Sequence, residues 1–200
     1  MLDVGEYLMI STCVFIFDGL ADSEIGLITY ELHMRNKLPV RTMGLTGDCV
    51  TTGGGLRVLP EMTLDDLDVK DTSLVILPGG EMWNETFNET LAGWVIQRHE
   101  EGVVIAAICA ATMFLAKTGI YDTGVKYTSN SLDYMKTFFP EYHGERDYVD
   151  TYAVSDQGVI TASGAAPHEF AYQILKTLEI YDDKVLVEFA EFWNCRDVTA

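Results

Sequence analysis

Basic residues and paired metal ligands are both scarce in this sequence. Its 200 residues contain 13 Lys and Arg against 31 Asp and Glu, a formal net charge of −18. Such an acidic surface repels phosphate backbones and anionic lipid, so we expect no nucleic-acid and no membrane partner. The four His residues form no HxxxH or HxH pair, and the four Cys residues form no CxxC pair. The sequence therefore predicts no metal site and no cofactor.

Export signals and long apolar runs are missing as well. No stretch reaches the roughly 18 consecutive apolar residues of a membrane span. The first twelve residues, MLDVGEYLMIST, carry acidic side chains where a signal peptide has a basic segment. We therefore expect a cytoplasmic protein with reduced thiols.

Apolar, β-branched runs alternate with helix-compatible segments along the whole chain. The predicted buried strands are Leu8–Phe17, Val40–Leu45, Ser73–Leu77 and Val103–Ile108. The predicted helices run from Asp22 or Ser23 to Asn36, from Glu85 to Glu101, from Cys109 to about Thr118, from Asn130 to Phe139, from Pro167 to about Ile180, and onward from Asp182. Val50–Leu59 and Tyr148–Ala162 are predicted hairpins. The alternation predicts one α/β domain over residues 1–200, a three-layer sandwich with a mostly parallel, flavodoxin-like sheet.

The segment VVIAAICAATMFLAK places Cys109 between a predicted strand and a predicted helix. Parallel sheets bind ligands at the carboxyl ends of their strands, and a helix N-terminus favours a thiolate there. We hypothesise that Cys109 is a reactive nucleophile. The alternative is an inert core cysteine, because small thiols are often buried as apolar groups.

Two further loops, Asp18–Glu24 and Pro78–Met82, should meet the Cys109–Thr112 loop at that edge of the sheet. A carboxylate of the Asp18–Glu24 loop, most plausibly Glu24, can hydrogen-bond the sulfur. Gly79 and Gly80 let a substrate approach the backbone, and the Ala110 N–H is a candidate oxyanion donor. The alternative for Glu24 is a solvated position on a helix surface.

The segments FDGLADSE, LVILPGGE, VVIAAICAATMFLAKTG and ITASGAAPHEFAYQIL resemble the ThiJ/PfpI superfamily over roughly residues 8–180. The resemblance implies a class I glutamine amidotransferase-like fold and a homodimer. It implies that Cys109 is the reactive cysteine, Glu24 the acidic residue that bonds it, and Gly79 and Gly80 the glycine pair of the oxyanion pocket. Activities of the superfamily include peptidase, amidase, deglycase or glyoxalase, and isocyanide hydration, and some members are redox sensors or chaperones.

One feature departs from many peptidase-like and glyoxalase-like members, which carry a histidine about twenty residues after the cysteine. Here that region reads YTSN. Asn130 can orient a substrate or water but cannot shuttle protons. His168 and His143 are possible substitutes, although a solvated position is the alternative for each.

Three functions follow from these residues. The first is a hydrolase or amidase, or a glyoxalase or deglycase, that attacks a small electrophile through the Cys109 nucleophile elbow without a Cys–His pair. The second is a redox or stress-response protein that senses oxidation at Cys109. The third is a non-catalytic member that binds a small ligand.

Overall fold

The protein is built around a seven-stranded sheet. A computed structural model describes residues 10–66, 72–85 and 87–198. The strand order is β5-β2-β1-β6-β7-β9-β8, and only the β8–β9 pair is antiparallel. The strands are β1 Thr12–Phe15, β2 Val40–Gly44, β3 Val50–Thr51, β4 Arg57–Val58, β5 Met62–Thr63, β6 Leu74–Leu77, β7 Val104–Ile108, β8 Ala153–Asp156 and β9 Val159–Ala162. The short strands β3 and β4 pair only with each other, as the predicted hairpin.

Seven α-helices accompany these strands within the described residues. They are α1 Asp22–Tyr30, α2 Met82–Glu85, α3 Glu89–Glu100, α4 Ala111–Thr118, α5 Leu132–Phe138, α6 Pro167–Thr177 and α7 Asp183–Trp193. Helix α1 packs on α6, and α3 packs on α4 and on β7. The α/β fold with a mostly parallel sheet flanked by helices is therefore confirmed.

The central strands β1, β6 and β7 are apolar because they are covered on both faces. All four residues of β6 are fully buried, and Ile105–Ile108 of β7 are equally inaccessible. Ala106 and Ala107 face Ile76 and Leu77 in the parallel register. This burial fixes the carboxyl ends of β1, β6 and β7 side by side, which positions the loops that follow them.

The helix predicted over Glu85–Glu101 is not continuous, since α2 ends at Glu85 and α3 begins only at Glu89. The chain forms α2, then a break, then α3, whose N-cap is Asn88. The Asn88 side chain accepts a hydrogen bond of 2.9 Å from the Leu91 N–H. Capping satisfies a backbone donor that would otherwise lack a partner, so a new helix begins there.

Helix α1 also begins and ends differently from the prediction. Its N-cap is Ala21, and the Asp22 carboxylate instead accepts a 2.7 Å hydrogen bond from the Thr52 hydroxyl. After Tyr30 the backbone widens into a π-helical turn, Glu31–Arg35, before Asn36 ends it. The first predicted strand is shorter than expected, and its beginning at Leu8 lies outside the described residues.

Neither a membrane span nor a metal cluster is found in the part of the chain that the structure describes. None of its helices combines the length and apolarity that crossing a membrane requires. No group of three or more His, Cys, Asp or Glu residues there is arranged to hold a metal ion.

Candidate active site

Cys109 lies in a strained turn between β7 and α4. Its φ of 59° is in the left-handed region, which costs a residue with a side chain about 1–3 kcal/mol. The Cys109 N–H donates to the Ala162 carbonyl at 2.9 Å, and the Cys109 carbonyl accepts the Thr112 hydroxyl at 2.6 Å. Bonds on both sides hold the turn, and the thiol remains partly exposed. This is the geometry of a nucleophile elbow.

Glu24 of α1 meets this thiol from the neighbouring loop. The residue is only 7% exposed, so the alternative of a solvated surface position is wrong. Its Oε2 accepts a 2.8 Å hydrogen bond from the Gly79 N–H, and its carboxylate accepts one from the Cys109 thiol. A Cβ on Gly79 would lie 2.5 Å from Glu24 Oε2 and 2.7 Å from Cys109 Cβ. This position therefore requires glycine, because the Glu24 carboxylate and Cys109 Cβ leave no space for a side chain.

The Gly79 hydrogen bond adds to what the sequence predicted for the glycine pair. Gly79 and Gly80 were expected to let a substrate approach the backbone, and in the structure the Gly79 N–H holds Glu24. Gly80 has a φ of +152°, and a Cβ there would lie 2.6 Å from the Phe17 ring. The glycine pair shapes the pocket, and the Gly79 amide orients the carboxylate.

Burial and mutual repulsion set the protonation of the pair. Burial raises the pKa of Glu24, against the hydrogen bonds from Gly79 and Cys109 that lower it. Burial and then the negative charge of Glu24 raise the pKa of the Cys109 thiol. Because two adjacent anions are unfavourable in a buried site, ionisation of Glu24 disfavours ionisation of the Cys109 thiol.

Asn130 and Ala110 oppose this effect at the sulfur. Asn130 Nδ2 donates to Cys109 Sγ at 3.4 Å, and the Ala110 N–H also bonds the sulfur. Both hydrogen bonds lower the pKa of Cys109, since they favour the thiolate. The amide of Asn130 is oriented by the Gly164 N–H, which donates to Oδ1 at 2.9 Å. Asn130 and Ala110 thus act on the nucleophile itself, where the sequence predicted contacts to substrate or oxyanion.

The two histidine candidates are not brought to the thiol. His168 Nδ1 lies 3.0 Å from the Trp193 carbonyl oxygen, and its ring packs on the Trp193 indole. His143 is exposed in a loop, where its charge acts on Glu145. Among the described hydrogen bonds, none joins either histidine to Cys109 or Glu24. Both were candidates for replacing the missing imidazole, and the structure supports neither.

The structure adds three residues that the sequence did not indicate. A Cβ on Gly164 would lie 2.8 Å from Cys109 Sγ and 3.0 Å from Glu24 Oε1, so only glycine fits behind the pair. The Tyr134 hydroxyl of α5 donates to Asn84 Oδ1 of α2 at 3.0 Å. Burial raises the pKa of Tyr134, and the negative charge of Cys109 raises it further. Tyr134 lies in the first turn of α5, which begins directly after Asn130 and its N-cap Ser131.

Nothing in the chain order could have revealed these contacts. Tyr134 and Asn84 are 50 residues apart, and Gly164 lies on the loop after β9. Gly164 alone could have been suspected from the sequence, because it is a glycine that follows a buried strand at the same edge of the sheet.

Comparison with known proteins identifies the family of this chain. The model of the DJ-1/PfpI family matches residues 11–177. The chain belongs to the DJ-1/PfpI family. The ThiJ/PfpI resemblance inferred from the motifs is thereby confirmed, and the class I glutamine amidotransferase-like form of the fold with it.

Three similar proteins illustrate the range of the family. The uncharacterized protease YoaZ of Bacillus subtilis is 39% identical over 175 residues, 84% of this chain and 83% of YoaZ. The glutathione-independent glyoxalase DJR-1.2 of Caenorhabditis elegans is 28% identical over 155 residues, 76% of this chain and 80% of its own. The crystal structure of a thiJ/pfpI family protein from Bacillus anthracis has a TM-score of 0.84 and 36% identity, covering 90% of this chain and 88% of that one. Protease and glyoxalase names thus both occur among relatives within the family.

Proposed function

We propose that Cys109 and Glu24 form a cofactor-independent catalytic pair that converts a small, uncharged 2-oxoaldehyde into a 2-hydroxycarboxylate. One observation carries the proposal. The Gly79 N–H holds the buried carboxyl of Glu24 next to the Cys109 thiol, since one Cβ on Gly164 would lie 3.0 Å or less from both Glu24 Oε1 and Cys109 Sγ. Burial raises the pKa of this carboxyl, so it can accept and return a proton beside the thiol. A 2-oxoaldehyde needs such a shuttle between its two adjacent carbons.

The reaction balances without an oxidant or a metal. The Cys109 sulfur adds to the aldehyde carbon while Glu24 passes the thiol proton to the aldehyde oxygen, which gives a hemithioacetal and leaves Glu24 ionised. Glu24 then removes the proton from that carbon to form an enediol, in which the hydroxyl proton passes to the neighbouring oxygen, and returns the carbon-derived proton to the neighbouring carbon. That carbon is thereby reduced as the first carbon becomes a thioester. Water cleaves the thioester, frees the thiol and releases the 2-hydroxycarboxylate with one proton.

Amide hydrolysis fits the site less well. An amine leaving group must be protonated as it departs, and proteases with a cysteine nucleophile use an imidazole for that step. His168 and His143 both lie elsewhere, as described above. The glyoxalase chemistry has no amine to expel, so the carboxyl of Glu24 suffices. The similarity to the glyoxalase DJR-1.2 supports this choice, whereas the similarity to the uncharacterized protease YoaZ favours a protease.

The charge around the site favours an uncharged substrate. The carboxylates of Asp18, Glu81 and Glu85 line a cavity of about 680 Å³ that adjoins Gly80 but whose lining includes neither Cys109 nor Glu24. Together with the net charge of −18, these carboxylates disfavour anionic substrates near the Gly79–Gly80 loop. A small neutral aldehyde meets no such barrier.

Oxidation sensing at Cys109 is the second candidate. Ala110 and Asn130 already direct N–H groups at the sulfur, and a protonated Glu24 would add a third donor. These donors would also stabilise the oxygens of a sulfinate. Graded peroxide followed by mass spectrometry tests it: selective dioxidation of Cys109 supports sensing, and equal oxidation of all four thiols contradicts it.

The test of the proposed enzyme is methylglyoxal turnover, followed by chromatographic detection of the hydroxy acid. The matched variants are Cys109→Ser and Cys49→Ser, since Cys49 is an exposed thiol far from the pair in sequence. We expect Cys109→Ser to abolish turnover and Cys49→Ser to retain it. Turnover that survives Cys109→Ser contradicts the mechanism.

A further inference from the structure

We propose that Tyr134 is a third catalytic residue, whose hydroxyl donates a hydrogen bond to the substrate's carbonyl oxygen as the Cys109 sulfur adds to the carbonyl carbon. The proposal deepens the proposed function and rests on it for turnover. Its first step, addition of the thiol to an aldehyde, can be measured without turnover.

The site needs a donor that its backbone does not supply in full. Addition to a carbonyl places negative charge on the oxygen, and each preorganised donor aimed at that oxygen lowers the barrier. The Gly79 N–H is used by Glu24, and the Ala110 N–H, which the sequence proposed for the oxyanion, lowers the pKa of the Cys109 thiol by hydrogen bonding. Neither amide is therefore free to serve the oxyanion alone.

Tyr134 is held where such a donor is required. Its hydroxyl donates to Asn84 Oδ1 at 3.0 Å, and its backbone N–H donates to Ser131 Oγ at 2.9 Å. Ser131 follows Asn130 directly, and the Gly164 N–H holds the oxygen of the Asn130 amide, so that its Nδ2 faces Cys109 Sγ at 3.4 Å. The short segment from Asn130 to Tyr134 thus links the thiol and the phenol.

The electrostatics keep this phenol a donor. Burial and the charge of the Cys109 thiolate raise the pKa of Tyr134 above its usual value, so the hydroxyl stays protonated at neutral pH. Tyr134 is partly buried on α5, and Asn84 is partly buried on α2, directly after the Gly79–Gly80 loop. The phenol therefore bridges the two elements that flank the thiol.

The step balances as follows. The carbon–sulfur bond forms, the π electron pair moves onto the carbonyl oxygen, and the thiol proton is held by Glu24. The Tyr134 hydroxyl turns from Asn84 Oδ1 to the new oxyanion and stabilises it by a hydrogen bond. Collapse of the adduct reverses each movement and restores the bond to Asn84.

The test compares Tyr134→Phe with the wild type and with Tyr181→Phe as the control. Tyr181 is the matched tyrosine, because its hydroxyl also bonds an asparagine amide, that of Asn36, but lies beside Glu31. Two readouts separate catalysis from structure. Methylglyoxal protects Cys109 from iodoacetamide through the reversible hemithioacetal, whereas alkylation by iodoacetamide itself is a displacement that forms no oxyanion.

We expect Tyr134→Phe to weaken methylglyoxal protection about tenfold, the loss that corresponds to one hydrogen bond, and to leave alkylation within about twofold. The phenylalanine keeps the ring packing on Phe138. Turnover should fall about 100-fold, mainly in kcat, as for loss of one oxyanion donor. Tyr181→Phe should match the wild type in all three measurements.

Unchanged protection in Tyr134→Phe overturns the inference, and so does an equal loss of alkylation, which would show a merely structural role. Absence of methylglyoxal protection in the wild type also overturns it, because no adduct then forms. Protection that needs Tyr134 in a protein without turnover supports the inference while the proposed function fails.

Discussion

At the scale of single residues, the central feature is that the buried Glu24 carboxyl lies beside the partly buried Cys109 thiol. Each group has its pKa raised by burial, and the charge of Glu24 raises the thiol's further. A carboxyl with a raised pKa in the folded state makes folding more favourable as pH falls through that pKa. Above it, the ionised and buried Glu24 lowers stability. The site therefore gives up some stability at neutral pH for a reactive pair.

Glu24→Gln tests this pair directly. The amide is the same size, can still accept from the Gly79 N–H, and carries no charge. We expect the pKa of Cys109 to fall, iodoacetamide alkylation at neutral pH to rise severalfold, and methylglyoxal turnover to drop about 100-fold or more because the proton shuttle is lost. Stability at neutral pH should rise relative to the wild type, and the difference should shrink in acid.

Glu31→Gln is the matched control, since Glu31 is also a buried carboxylate and follows the same helix. It should leave both alkylation and turnover unchanged. An alkylation rate that is the same in Glu24→Gln and the wild type would remove Glu24 from contact with the thiol.

At the scale of elements, short helices position the site by their caps. Helix α5 carries Tyr134, and its N-cap Ser131 follows Asn130 directly. The Ser131 hydroxyl accepts the Tyr134 N–H at 2.9 Å. A seven-residue helix has little stability of its own, so this cap determines where both residues lie.

Ser131→Ala and Asp182→Ala separate the effect of a cap on stability from its effect on the position of the site residues. Asp182 caps α7 in the same way, accepting the Val185 N–H at 2.9 Å. We expect each substitution to lower the free energy of unfolding by about 1 kcal/mol in urea titrations. Only Ser131→Ala should reduce methylglyoxal turnover and protection of Cys109. Equal effects of both variants on turnover would show that α5 has no special link to the site.

At the scale of the whole molecule, charge and exposed apolar side chains determine which partners are expected. The net charge of −18 argues against nucleic acid and anionic membranes as partners. We propose a cytoplasmic location, where thiols stay reduced. Several large apolar side chains remain exposed, among them Tyr30, Met34 and Phe192, the last 79% exposed. Burying such side chains against a second copy would favour association.

We therefore expect a homodimer, as the family resemblance implied. Light scattering coupled to gel filtration at micromolar concentration should give twice the 22.3 kDa of one chain. Because the chain is strongly acidic, dimerisation should strengthen as salt screens the repulsion between copies. A mass of one chain at all salt and protein concentrations would contradict the expectation.

The sequence by itself determined the fold class and the place of Cys109 at a strand-to-helix turn. Strands with continuous apolar runs predict a buried parallel sheet, and Cys109 directly follows one of these strands. Glu24 and the glycines follow neighbouring strands, so their meeting at one edge was a consequence of topology. These features are local or depend only on strand order, which is why they could be predicted.

The tertiary structure decided what each group does. Whether the Gly79 N–H faces an oxyanion or a carboxylate depends on a side chain 55 residues away, because a hydrogen bond needs both partners at about 3 Å. The same holds for Asn130 on the sulfur, for Gly164 behind it, and for Tyr134 across from Asn84. Sequence spacing carries no such distances. The absence of a histidine after Cys109 could be read from the sequence, whereas the position of the Tyr134 hydroxyl could be read only from the fold.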